Sequence, residues 1–207
     1  MAANNSELLS VLSVVVSALA FTVSAITAWL TLFRRGTLKM TQPTQIFFGY
    51  DKSRDDDERA WPKVFLCTLL FVTSKRGLVI ENLYVKLTCE DITQTFSIWV
   101  HGHNNELVRG AGLFVGDTGV QANHHFLTSE NDEPFHFIAG NYQFEVHANI
   151  LGQRDSCLLF SCALNVSLDE SDSIGHQHSG LYFDWGPDEK QYTHHVKRAP
   201  KSFWDTE

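Results

Sequence analysis

Cysteine is scarce in this chain: Cys67, Cys89, Cys157 and Cys162 are the only four among 207 residues. That is too few for a disulfide scaffold, which excludes the small secreted frameworks held by several bridges. Cys67 and Cys162 stand inside apolar runs, where a free thiol packs as a small hydrophobe; the count leaves an oxidised pair open. Basic residues are also few, 16 Lys and Arg against 24 Asp and Glu, for a net charge of −8. The first 35 residues carry +1, which leaves −9 on the remainder. No stripe of Lys or Arg interrupts that balance, so it repels phosphate backbones and argues against nucleic acid as a partner. It also argues against the globular part lying flat on anionic lipid.

Catalytic signatures are missing too. Neither a G-x-S-x-G elbow nor an H-E-x-x-H pair occurs. The run Gly110-x-Gly112-x-x-x-Gly116 imitates a phosphate loop, but no Gly-Lys-Ser/Thr follows and no helix is expected after it. Asp55-Asp56-Asp57 lacks the glycine turn and distal glutamate of an EF-hand. Ten His include four doublets: His101/His103, His124/His125, His176/His178 and His194/His195. A zinc signature needs three or four ligands at recognised spacings, and these doublets do not supply one. If a metal were held, His101, His103, His124 and His125 are the candidate ligands. The expectation is a protein that is not an enzyme and carries no cofactor.

The last absence is the most informative. From 8 to 33 there are 26 consecutive residues without a formal charge, between Glu7 and Arg34-Arg35. About 20 apolar residues span the hydrocarbon core, so residues 8–33 read as a transmembrane helix. The stretch before it has no Lys or Arg and the apolar run is long, which argues against a cleaved signal peptide. Arg34, Arg35 and Lys39 follow the span, and basic flanks favour the cytoplasmic side. The expected topology is a short extracytoplasmic N-terminus (1–7), a span in the plasma or inner membrane, a juxtamembrane linker (34–42) and a cytoplasmic domain. Trp29 and Phe33 would anchor the inner headgroup region.

Within the span, Ser6, Ser10, Ser13, Ser17, Ala20, Ser24, Thr27 and Thr31 recur at alternating intervals of four and three. Small residues let helices approach closely in lipid, and a 3.5-residue period implies a left-handed supercoil. This seam predicts self-association or packing against another membrane protein. Ser and Thr satisfied by their own i−4 carbonyls are the plainer alternative, and a hydroxyl-lined pore is a narrower one.

Beyond residue 40 the periodicity is that of strands, expected at 45–48, 64–73, 80–87, 93–100, 113–115, 122–127, 135–138, 142–150 and 158–168. Leu83, Val85 and Leu87 alternate with polar neighbours, as do Tyr142, Phe144, Val146 and Ala148. Val64 to Val72 is almost wholly apolar, as in a central strand covered on both sides. Glycine-bearing turns separate the strands, and no amphipathic helix interrupts them. Many short strands without βα alternation read as a mainly β protein, an antiparallel β-sandwich over residues 43–168.

Gly140-Asn141-Tyr142-Gln143-Phe144-Glu145-Val146 resembles the entry to the penultimate strand of immunoglobulin-like and fibronectin-like sandwiches. The resemblance implies that Tyr142 is a structural corner whose hydroxyl bonds to backbone a few residues upstream. Phe144 stands where antibody domains place a disulfide Cys, so no family-type disulfide is implied, and the resemblance reaches architecture only.

Residues 169–207 are more polar and read as a partly docked C-terminal extension. It comprises an acidic linker, an aromatic island at Tyr182–Trp185 covering a sheet edge, and a basic end. The function expected from all this is a membrane-anchored binding or sensing module for a cytoplasmic protein or small ligand. An oligomerising membrane effector that forms a leak through its seam, and a His-dependent metalloprotein, are the alternatives.

Overall fold

The computed structural model describes residues 2–34, 36–51, 61–101, 107–110, 112–129, 135–174 and 179–198. Helix α1 covers Ala2–Ala28 and runs into one π-helical turn, Trp29–Phe33. The residues from Glu7 to Phe33 form a helix long and apolar enough to cross a membrane. Its large apolar side chains are exposed along the whole length, and none of the described residues outside the helix covers them. The helix stops at Arg34, whose backbone turns extended while its N–H still bonds to the Trp29 carbonyl at 2.9 Å.

Among the described residues twelve strands follow: β1 (Leu38–Met40), β2 (Gln45–Asp51), β3 (Trp61–Val72), β4 (Leu78–Cys89), β5 (Ile92–His101), β6 (Leu107–Arg109), β7 (Leu113–Val115), β8 (Val120–Leu127), β9 (Gly140–Ile150), β10 (Cys157–Val166), β11 (Ser179–Gly186) and β12 (Gln191–Arg198). The protein is thus mainly β behind one apolar helix. The strands form one antiparallel sheet in the order β10-β9-β4-β5-β8-β3-β2-β11-β12, with β1, β6 and β7 as short side pairings. β1 and β2 act as one interrupted strand along β3. The amides of Thr41 and Thr44 reach the Leu69 and Cys67 carbonyls, and Gln42-Pro43 is looped out between them because Pro43 has no N–H to give.

Alternation sets the inside. On β3 the even-numbered residues Pro62 to Val72 are buried, while Phe65, Cys67, Leu69 and Phe71 are half-buried on the other face. Among the described residues no second layer covers that outer face, contrary to the expectation for an apolar run. Flat stacking of Phe47 on Phe65 at 4.7 Å, with Tyr182 at their edges, shields part of it instead.

The sheet curls until distant strands meet. Phe48 of β2 is fully buried and lies 5.7 Å from Tyr142 and 6.3 Å from Phe144 of β9, although β4, β5, β8 and β3 separate β9 from β2 in the sheet. The edge strands β10 and β12 also approach each other across a groove of about 500 Å³ lined by Phe160, Cys162, Leu164, Phe183, Trp185 and Tyr192. The outcome is a nearly closed, barrel-shaped sheet around one core.

Three local differences from the sequence expectation stand out. Residues 135–138 are extended and alternate, with Phe135 and Phe137 buried, yet they join no ladder. The polar stretch after β10 opens with a helix, α2 (Leu168–Ile174), capped by Ser167. Glu170 accepts bonds from the Ser167 amide at 2.9 Å and hydroxyl at 2.7 Å, a capping box, and the buried Ile174 anchors the helix. The aromatic island belongs to β11, which pairs with β2 and carries β12 outside it.

Tyr142 is buried, and its hydroxyl donates to the Ile138 carbonyl at 2.8 Å. Removing that hydroxyl leaves a carbonyl short of its donor, at a cost of about 1–3 kcal/mol. Tyr142→Phe should therefore lower the melting temperature of the full-length protein in detergent, and an unchanged melt would remove any structural role for this bond.

Candidate functional site

The site grows from a split in the sheet. β4 pairs with β5 only from Tyr84 to Cys89, while β5 turns to β8 at Ser97–Trp99. A register shift between Ile80 and Asn82 bends the start of β4 away. Two three-residue strands plug the opening, β6 on the end of β5 and β7 on the start of β4. Gly110 joins them to β5 through its N–H, 3.0 Å from the Ile98 carbonyl. Gly112 has φ +124, and a β-carbon there would stand 3.1 Å from the Ile80 carbonyl, so this close turn against β4 suits glycine.

Behind the plug lies a cavity of about 210 Å³ lined by Ile80, Leu83, Ile98, Leu113, Val120 and His124, among others. His124 sits on β8 directly opposite Leu66 of β3 and is 5% exposed. Its Nε2 is enclosed and has no hydrogen-bond partner. Burial pushes the imidazole pKa down to about 4, so the ring is neutral near pH 7. Buried polar atoms are nearly always paired, and one left open beside a cavity marks a place where a guest can supply the bond. Among the described residues lining the cavity there is no carboxylate, thiol or hydroxyl side chain. The arrangement can hold and orient a guest at His124, with Asn123 and His125 also bordering the space.

The other sequence candidates are scattered. His125 follows His124 on the strand and packs its ring 5.7 Å from Phe65 of the outer face, yet it also borders the cavity at its open side. The backbone of His101 ends β5; its side chain, and all of His103, lie outside the described residues, as do Asp55, Asp56, Asp57, His176 and His178. Among the described residues no three His, Cys, Asp or Glu side chains gather as a metal would require. His194 contacts Glu170 at 2.5 Å, and His195 lies 3.4 Å from Asp184, so both are occupied by single carboxylates. All four Cys are free, and burial pushes the Cys162 thiol up to about 12. Gly110 and Gly112 of the glycine-rich run sit between two strands at the cavity, away from any helix N-terminus.

Along α1 the hydroxyls of Ser13, Ser17 and Thr27 bond at 2.8 Å to the carbonyls of Ser10, Ser13 and Val23, and that of Thr31 continues into the π-helical turn with a bond to Thr27. Thr22, off the seam, does the same with Ala18. The side chain of Ser6 lies outside the described residues. Hydroxyls satisfied in this way still leave a smooth, small-residue face.

Sequence reasoning places His124 only within a doublet. Its neighbours Val120, Ala122 and Phe126 share its face of β8, and that alternation is the signal that sets it inside. The cavity itself needs the strand split, which no local pattern reports. A scan against family models finds no match for this chain, and a search of curated proteins finds none either.

Proposed function

We propose that this protein is a membrane-anchored, non-enzymatic binding module whose barrel takes a small, largely apolar ligand with one hydrogen-bonding group directed at His124. The observation that carries the reading is the unpartnered, enclosed Nε2 beside a largely apolar cavity. At about 210 Å³ the cavity exceeds the ~150 Å³ that suffices for benzene in an engineered apolar core. The length and exposure of the apolar helix support anchorage. The basic residues Arg34, Arg35 and Lys39 support a cytoplasmic domain and an outer N-terminus, in the plasma or inner membrane. The small-residue seam supports pairing of helices in the bilayer. An immunoglobulin-like relationship has the Tyr142–Ile138 bond in its favour and the one-sheet strand order against it.

Phenol and toluene test the site, because they share a shape and differ in the one group His124 would meet. Phenol should raise the melting temperature of the full-length protein more than toluene at equal free concentration, and should move the ring ¹⁵N shift of the buried histidine. In His124→Leu the preference for phenol should vanish, leaving the two ligands equivalent. Equal stabilisation by both ligands in the unaltered protein would remove His124 from the site.

A further inference from the structure

The net charge of the domain hides an uneven distribution. After Phe33 the chain is caught at once by the barrel: the Thr37 amide donates to Thr73 Oγ1 at 2.9 Å, and the Thr73 amide donates to the Thr37 carbonyl at 3.2 Å. Gly36 is wedged so closely that a β-carbon would stand 2.6 Å from Val72 Cγ1. Four residue steps at full extension cover only about 14 Å, so the end of the barrel at Thr73 cannot stray far from the end of α1.

That same end carries an exposed apolar corner. Val79 of β4 is paired directly with Phe114 of β7, and the Leu151 amide donates to the Val79 carbonyl at 2.9 Å. Val79, Phe114 and Leu151 are 40%, 63% and 59% exposed; the first two lie on the paired strands β4 and β7, and Leu151 opens the turn that follows β9. The Phe114 ring edge reaches over Gly77, within 2.5 Å of where a β-carbon would stand, beside the exposed Lys75 and Arg76 of the β3–β4 turn. Lys39 and Arg154 add positive charge at this end, against Asp117 and Asp155 in neighbouring turns. The opposite end carries the Glu90-Asp91 turn and the acidic helix α2.

We infer that this corner is a lipid-contacting surface: Phe114, Val79 and Leu151 enter the headgroup region of an anionic bilayer while Lys75 and Arg76 meet its phosphates. The proposal rests on α1 spanning the membrane. Continuity with that helix selects lipid as the occupant, since the tether keeps this end of the barrel close to the end of α1. Basic residues near an anionic surface add attraction, and apolar side chains at its boundary add burial. The overall charge of −9 argues against such contact only when averaged over the domain; the acidic end is turned away.

The test uses the full-length protein in vesicles of phosphatidylcholine, with or without phosphatidylserine. Benzoylphenylalanine is placed at position 114, or at position 92, the first residue of β5 beside the opposite-end turn, where Ile92 is 50% exposed. Irradiation should give lipid adducts at 114, several-fold more with phosphatidylserine, and only background at 92. Lys75→Glu combined with Arg76→Glu should reduce the yield at 114 to that in neutral vesicles. No lipid adduct at 114, equal yields at both positions, or adducts to a second copy of the chain would overturn the proposal. Alkaline carbonate washing of the same vesicles separates the two claims. Protein retained without adducts at 114 defeats the contact alone, whereas protein released defeats the span and the contact together.

Discussion

Lowering the pH from 7.5 to 5 should destabilise the folded protein by roughly 2 kcal/mol through His124 alone. The sign follows from a base buried in its neutral form. Its pKa is about 4 in the folded state, because burial disfavours the charged ring, and about 6.5 in the unfolded chain. Between those values the unfolded state binds the extra proton, so stability falls as pH falls from about 6.5, reaching a total of about 3 kcal/mol near pH 4. The dependence fades above about pH 6.5 and is nearly gone about one pH unit higher. For a domain of this size about 2 kcal/mol corresponds to a drop of roughly 4–8 °C in melting temperature. Comparing the unaltered protein with His124→Leu at both pH values isolates this residue from the other histidines. The variant should lose that part of the drop; an identical drop in both would mean that His124 is not held neutral by burial. Phenol should blunt the acid sensitivity of the unaltered protein, because a guest on the neutral ring opposes its protonation.

The strands were largely legible because alternation reports which side chains go inside. Leu83, Val85 and Leu87, or Phe144 and Val146, could be assigned to an inner face without knowing any neighbour. What alternation cannot report is pairing. Residues 135–138 show this most plainly: Phe135 and Phe137 point inward as expected, but the backbone meets no ladder. For the same reason two sheets and one curled sheet look alike in sequence, since both demand a single apolar face per strand. β12, Gln-Tyr-Thr-His-His-Val-Lys-Arg, escaped notice because an edge strand beside solvent has little apolar pattern to show. Helix α2 did have a local signal in Ser167 and Glu170, masked by the fact that a seven-residue helix buries only Ile174. Of the candidate site, His124 was visible as a residue type, but its isolation beside a cavity depends on where β4 and β5 part.

Replacing Phe48 by alanine should cause the largest loss of stability, about 3–5 kcal/mol, because a fully buried ring is removed and its surroundings can only partly collapse. The ring stacks on Phe137 at 5.2 Å, meets Phe183 of β11 edge-on at 5.1 Å, and contacts Tyr142 and Phe144 of β9. Thermal unfolding of the full-length protein in detergent should shift by roughly 6–20 °C. Phe65→Ala, on the half-buried outer face of the next strand, removes the same chemistry where water already reaches and should cost markedly less. A double-mutant cycle turns this into a measurement of the curl. Phe48 and Phe144 belong to strands separated by four others in the sheet, so in an open sheet their alanine substitutions would add independently. Contact across a closed interior predicts a coupling above about 0.5 kcal/mol, since the second truncation enlarges a cavity the first has already opened. Additivity within about 0.3–0.5 kcal/mol would place the two rings in separate environments and unroll the barrel. The cavity at the β4–β5 split would then lose its far wall, because Ile80 and Leu83 enclose His124 only while the sheet turns back on itself.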